Sequence, residues 1–177
     1  MSLITLPAQF KPTSTVLDLY VTQRVNASPF GGSEQAVDLL NDRWKMSCEL
    51  PPNVTASAAW LDAFIGSLRG MSNTVALWNF ARPSVAGTIA GAKTLSANAA
   101  QGASSISITC TTGTTLLAGD MIGVGNLLLM VAADATASAG VMTVTLINRL
   151  RTALTSGAAV TTVKPTANFR MLSNSGV

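Results

Sequence analysis

The clearest periodicity in the first half of the chain is a strict alternation. Trp44, Met46, Cys48 and Leu50 interleave with Lys45, Ser47 and Glu49, the period-2 signal of a half-buried strand. Pro51-Pro52 ends it by removing backbone donors. Residues 14–22 form a second predicted strand, because Val16, Leu17, Leu19, Tyr20 and Val21 are mostly β-formers. Then the period changes. Leu61, Phe64, Ile65 and Leu68 recur at i, i+3, i+4 and i+7 with Trp60 beside them, which predicts one amphipathic helix over about 56–69. Thr55 or Ser57 is placed to cap it. Asp62 lies in its early part, Arg69 in its last turn, and Gly70 at the left-handed stop. A short strand with two aromatics, Trp78 and Phe80, follows over 75–80.

Beyond residue 100 the pattern is strand after strand. Residues 105–109 alternate. Residues 121–124 and 127–131 flank Gly125-Asn126, a two-residue hairpin turn. Over 141–147, Val141, Thr143, Thr145 and Ile147 share one face and Met142, Val144 and Leu146 the other. Residues 158–163 make a further candidate. Five short strands at this spacing predict a small barrel or sandwich, and no period of 20–50 residues suggests a solenoid. The fold class expected is therefore mainly β, of sandwich or barrel type, with one amphipathic α-helix and two small β units.

Composition sharpens the division. Residues 1–82 hold Asp18, Glu34, Asp38, Asp42, Glu49 and Asp62, all three Trp and the only Tyr, Tyr20. Residues 83–177 hold only Asp120 and Asp134 as acids and Phe169 as their one aromatic; the rest is dominated by Ala, Thr, Ser, Gly, Val and Leu. The shift places a joint near Arg82-Pro83-Ser84. A first unit over 1–83 is expected, with a small barrel or sandwich inserted over 84–165 and a strand over 167–172 returning to complete the first unit.

The whole chain of 177 residues carries 11% charged and 48% hydrophobic residues, which excludes disorder throughout its length. Eleven Lys+Arg against eight Asp+Glu give a net charge of +3, without the dense basic face of a nucleic-acid binder. The most apolar window, 121–133, is too short and too broken by Gly123, Gly125 and Asn126 for a membrane span of about 20 residues. The first residues lack the basic and apolar regions of a signal peptide, so none is expected.

No histidine is present, which removes the commonest general base and the Ser-His and Cys-His pairs. Lys93 and Lys164 have no motif that would make them a base for serine. Asp38 and Asp42 stand four apart, and Asp120 and Asp134 sit in turn-like contexts, where a carboxylate bonds its local backbone. Gly31-Gly32-Ser33 has neither the lysine nor the strand–helix context of a phosphate loop and reads as a loop needing positive φ. Trp44, Trp60, Trp78 and Phe80 could line a sugar platform, but their elements read as core. Arg149-Leu150-Arg151, the only local basic cluster, reads as a solvated loop. Cys48 and Cys110, 62 positions apart, have no metal spacing and read as free thiols. No catalytic residue, cofactor or metal ligand is expected.

One resemblance is carried by residue order. Phe30-Gly31-Gly32-Ser33-Glu34-Gln35 leads to Asp42-Arg43-Trp44-Lys45-Met46-Ser47-Cys48-Glu49-Leu50-Pro51-Pro52, then to Ala59-Trp60-Leu61-Asp62-Ala63-Phe64-Ile65-Gly66-Ser67-Leu68-Arg69-Gly70 and Val75-Ala76-Leu77-Trp78-Asn79-Phe80-Ala81-Arg82-Pro83. This resembles tail-tip proteins of long-tailed bacteriophages, the distal tail protein family and the minor tail proteins of lambda-like phages, over residues 14–83. Residues 117–125 and 158–165 resemble an accessory β domain of such proteins. The resemblance implies a non-enzymatic virion protein, made in the host bacterial cytoplasm. It would form a ring, a hexamer in that family, at the distal end of the tail tube, with tube and tip or baseplate proteins as partners. Phe30, Trp78 and Arg82 are then candidates for subunit contacts, with a place in the core as the alternative. A host-surface or carbohydrate-binding module is the second functional expectation, and it would need exposed aromatics that residues 84–165 lack.

Overall fold

The computed structural model describes residues 1–27, 31–39, 41–52 and 55–173. In chain order the elements are β1 (Leu3–Ile4), β2 (Ser14–Tyr20), β3 (Gln23–Ala27), β4 (Glu34–Asp38), β5 (Arg43–Glu49), α1 (Thr55–Leu68), β6 (Thr74–Leu77), β7 (Lys93–Leu95), β8 (Ser105–Thr109), β9 (Thr115–Leu116), β10 (Met121–Val124), β11 (Leu127–Met130), β12 (Ala135–Thr136), β13 (Val141–Thr145), β14 (Ala159–Thr161) and β15 (Ala167–Phe169). The protein is mainly β with one helix, as the periodicities predict.

The largest element is a six-stranded antiparallel sheet in the order β11-β10-β14-β7-β8-β13. It curls until its two end strands meet. Val131 bridges Leu146, the Ala132 N–H donates to the Thr145 carbonyl at 2.8 Å, and the Ile147 N–H donates to that of Met130 at 2.9 Å. Curling removes most of the exposed edge that an open sheet would present. Alternation sorts the side chains: Met142, Val144 and Leu146 point inward and are buried, while Val141, Thr143, Thr145 and Ile147 face out. Ile106, Ile108, Leu116, Ile122, Val124, Leu129, Val131 and Leu150 fill the same core. The β10–β11 hairpin turns at Gly125 (φ +52°) and Asn126 (φ +65°), the two left-handed residues that a tight primed turn demands. Gly87 is required for a different reason: a Cβ there would lie 2.2 Å from the Thr115 carbonyl oxygen.

A second, smaller sheet, β1-β6-β15, sits under the helix. The last strand, Ala167–Phe169, runs antiparallel to Thr74–Leu77, so the chain returns after the curled sheet to pair with the strand that preceded it. Departure and return are neighbours in space. Ser84 bridges Val163, and the Lys164 N–H donates to the Pro83 carbonyl. Phe64, Leu68, Val75 and Leu77 form the small buried cluster here, with Phe10, Met46, Leu61, Phe80, Phe169 and Met171 only half-buried around it.

The helix differs from its sequence reading at its C-terminal end. It ends at Leu68; Arg69 (φ +48°) and Gly70 (φ +62°) are both left-handed, so Arg69 lies past the last turn rather than in it. The exposed carbonyls are served instead by Asn73, whose Nδ2 donates to the Ser67 carbonyl at 2.9 Å while its N–H reaches that of Leu68 at 3.1 Å. The capping expected of Thr55 or Ser57 falls on side chains outside the described residues. The strand expected over 75–80 stops at Leu77, because Asn79 Oδ1 accepts from the Ala81 N–H at 3.1 Å and turns the chain.

Candidate assembly surface

The strands β2, β3, β4 and β5, between Ser14 and Glu49, build an antiparallel arm. β2 and β5 pair over their full length, Ser14 opposite Glu49 through Tyr20 opposite Arg43. β3 and β4 continue the ribbon, Gln23 opposite Asp38 through Ala27 opposite Glu34. The Leu39 N–H, bonded to the Thr22 carbonyl at 3.0 Å, links the two parts. Fourteen residues at ~3.3 Å each give a contour of roughly 45 Å. Among the described residues neither pair of strands joins any other sheet, so the outer edges of the arm have no neighbouring strand there.

Its base is amphipathic and anchored. Leu17 and Trp44 pack on Met121, Leu128 and Ala167, Met46 packs on the helix cluster, and the Trp44 Nε1–H donates to the Leu128 carbonyl at 2.7 Å. That carbonyl also accepts from Asn148 Nδ2 at 3.1 Å. A Trp44→Phe variant should therefore lose one hydrogen bond without orphaning its acceptor. The expected cost is about 1 kcal/mol, measured as a lower urea midpoint at unchanged m-value.

The distal part is different. Every residue of β3 is exposed, and β4 is exposed up to Asp38. Sequence periodicity misses both strands because Gln-Arg-Val-Asn-Ala and Glu-Gln-Ala-Val-Asp have no apolar face. Val16, Tyr20, Val21, Val25, Val37 and Leu39 all stand in solvent along the arm, Tyr20 at 64% and Val25 at 57% exposure. An isolated two-stranded ribbon is marginal in water.

One clamp ties the middle of the arm to the curled sheet. Arg149 Nε lies 3.3 Å from Asp38 Oδ2, and the Arg149 N–H donates to Asp42 Oδ2 at 2.9 Å. Asp42 is buried, and its Oδ1 has no hydrogen-bond partner among the described residues. The segment Arg149-Leu150-Arg151 is a loop with both arginines exposed, as its charge predicts, but Leu150 between them is fully buried in the sheet core. Burial, and then the neighbouring Arg43 charge, pull the Arg151 guanidinium below its ordinary value. Asp38 and Asp42 hold this clamp.

Of the residues expected at subunit contacts, Phe30 lies outside the described residues. Trp78 and Arg82 are both at the joint of the chain with itself. The Trp78 ring stacks on Phe80 with centroids 4.6 Å apart, and Lys164 Nζ lies 5.3 Å from its centroid. The Arg82 guanidinium donates to the Gly119 carbonyl at 3.2 Å. Trp44, Trp60, Trp78 and Phe80 are half-buried; Trp44 and Phe80 pack against the hydrophobic clusters, as expected of core elements. Asp120 and Asp134 do organise turns. Asp120 accepts from the N–H groups of Ala86, Gly87 and Leu117, and Asp134 from that of Ala118. Gly32 has the positive φ expected of its loop, +61°.

Beside the arm lies an apolar groove of about 350 Å³. Its arm residues, Trp44, Lys45, Met46 and Cys48, all come from β5. Cys48 is a free thiol whose pKa burial pushes up, so it is held as the unreactive neutral form. Among the described residues no three His, Cys, Asp or Glu side chains come together to hold a metal ion, and no helix is long and apolar enough to cross a membrane. No family model and no curated protein matches this chain.

Proposed function

We propose that this protein is a non-enzymatic structural subunit of a bacteriophage tail. It forms an oligomeric ring at the distal end of the tail tube and connects the tube to the tip or baseplate. The observation that carries the reading is the arm: a ribbon of β2, β3, β4 and β5 whose outer edges meet no other strand among the described residues, with solvent-exposed Val16, Tyr20, Val25 and Leu39. Free edges and exposed apolar side chains are what identical subunits cover when they close a ring. The resemblance of residues 14–83 to tail-tip proteins supplies the tail and the six-fold expectation. The curled sheet supports the same reading as a rigid base, since its core is complete within one chain.

Light scattering on the purified protein, with electron microscopy of the same peak, tests this. Closed rings are expected. A monomer at all concentrations that binds in a glycan screen would replace the reading with the host-surface or carbohydrate-binding one. A monomer without glycan binding would overturn both.

A further inference from the structure

The groove beside the arm has a shape that the ring reading does not require. Four of its lining residues come from β5 and none from β2, so it runs along the edge of β5 that β2 leaves unpaired. β15, the end strand of its own sheet, contributes Phe169, and the chain beyond it contributes Arg170, Met171 and Leu172. Two strand edges with no neighbouring strand among the described residues therefore border one apolar trough. The trough is not a filled core. Met46, Phe169 and Met171 are only half-buried, and Leu172 is 73% exposed.

Its volume lies in the range of about 300–1,000 Å³ typical of binding pockets. A sheet edge beside apolar pockets is the arrangement that accepts an added strand. The backbone pairs with the edge, and alternate side chains drop into the pockets.

The charges around it state what the added strand should carry. The lining includes Lys45 and Arg170 and no carboxylate. Arg43, at the start of β5, extends the cationic row. Asp18 stands across from Lys45, and Glu49 closes the far end of β5, so the middle of the edge and the opposite rim remain net positive.

We infer that the β5 edge is a strand-acceptor site for an extended segment of a different protein chain, with apolar side chains facing the groove alternating with acidic ones facing out. The inference deepens the assembly reading by naming the partner surface, and it rests on that reading only for the identity of the partner as a neighbouring tail protein.

The probe is a fluorescent nine-residue peptide alternating leucine with glutamate, compared with one alternating leucine with lysine. The acidic peptide is expected to bind at least tenfold more tightly. The double variant Lys45→Glu/Arg170→Glu should reverse that preference. Cys48→Trp, which fills the groove, should weaken binding at least tenfold. Leu172→Glu provides the same test at an exposed position where folding is not at stake, and should also weaken it. Bound peptide should slow hydrogen exchange in residues 43–49.

Equal binding of the two peptides, or binding untouched by Leu172→Glu, overturns the proposal. So does a protein that binds neither peptide; if its β5 amides are already protected in its own ring, a second copy occupies the edge, and the ring reading survives alone. Acidic-peptide binding by a monomer that never forms rings would keep the acceptor site and remove the ring.

Discussion

Replacing Ile108 by Ala should lower the stability of the protein by about 4 kcal/mol, within the roughly 2–5 kcal/mol range for such truncations in close-packed cores. Ile108 is fully buried. It lies in the middle of the curled sheet, opposite Leu95 of β7 on one side and Met142 of β13 on the other. Strands hold it on both sides, so the cavity cannot collapse easily. Against a typical total of about 5–15 kcal/mol, a loss of this size moves a urea midpoint far enough to read without ambiguity. The matched control is Val25→Ala on β3, where the side chain is 57% exposed and the expected change is within about 0.5 kcal/mol. A cost below about 1 kcal/mol for Ile108→Ala would mean that the curled sheet is not the stable part of the molecule.

The second large effect is expected at Asp120. The residue is only 7% exposed. It accepts from the Ala86 N–H at 2.7 Å, the Gly87 N–H at 3.1 Å and the Leu117 N–H at 2.9 Å. These bonds to an ionised acceptor are stronger than neutral ones. Asp120→Ala leaves three donors without an acceptor, each at a cost of about 1–3 kcal/mol when water cannot reach it. A total of about 3–5 kcal/mol is expected, because the site is partly open at its rim. Asp120→Asn, which keeps one oxygen and the shape, should cost about half as much. The surroundings offer little relief: Gly87 is already packed against the Thr115 backbone, so the 86–88 segment has no room to shift toward a new partner. An Asp120→Ala protein with an unchanged thermal midpoint would show that the turn is held by other contacts.

How much of this was readable in the chain follows from where burial is one-sided. The alternation at 44–50 and 141–147 and the i, i+3, i+4, i+7 stripe at 61–68 predict β5, β13 and α1 because each packs one face on a core. The Gly125-Asn126 hairpin was equally legible, since only a few residue types accept positive φ twice in succession. The distal arm was not. β3 and β4 bury neither face, so they leave no period, and their existence rests on register carried over from β2 and β5. The Arg149 clamp was hidden for a related reason. Two arginines flanking a leucine look like a surface loop, and only the fold brings Asp38 and Asp42, more than a hundred residues earlier, against them. The groove was invisible because it is formed by side chains that do not fill a space, and spacing along a chain reports side chains present rather than volume left over.

Hydrogen exchange read segment by segment, in dilute and in concentrated protein, most directly tests assembly through the arm. Assembly predicts that amides of residues 14–27, 34–39 and 41–49 exchange fast in the dilute protein and slow by at least tenfold as particles form, while residues 105–109 and 141–145 in the curled sheet are slow throughout. Arm amides that exchange at the same rate at every concentration, in a protein whose mass stays that of one chain, would contradict it.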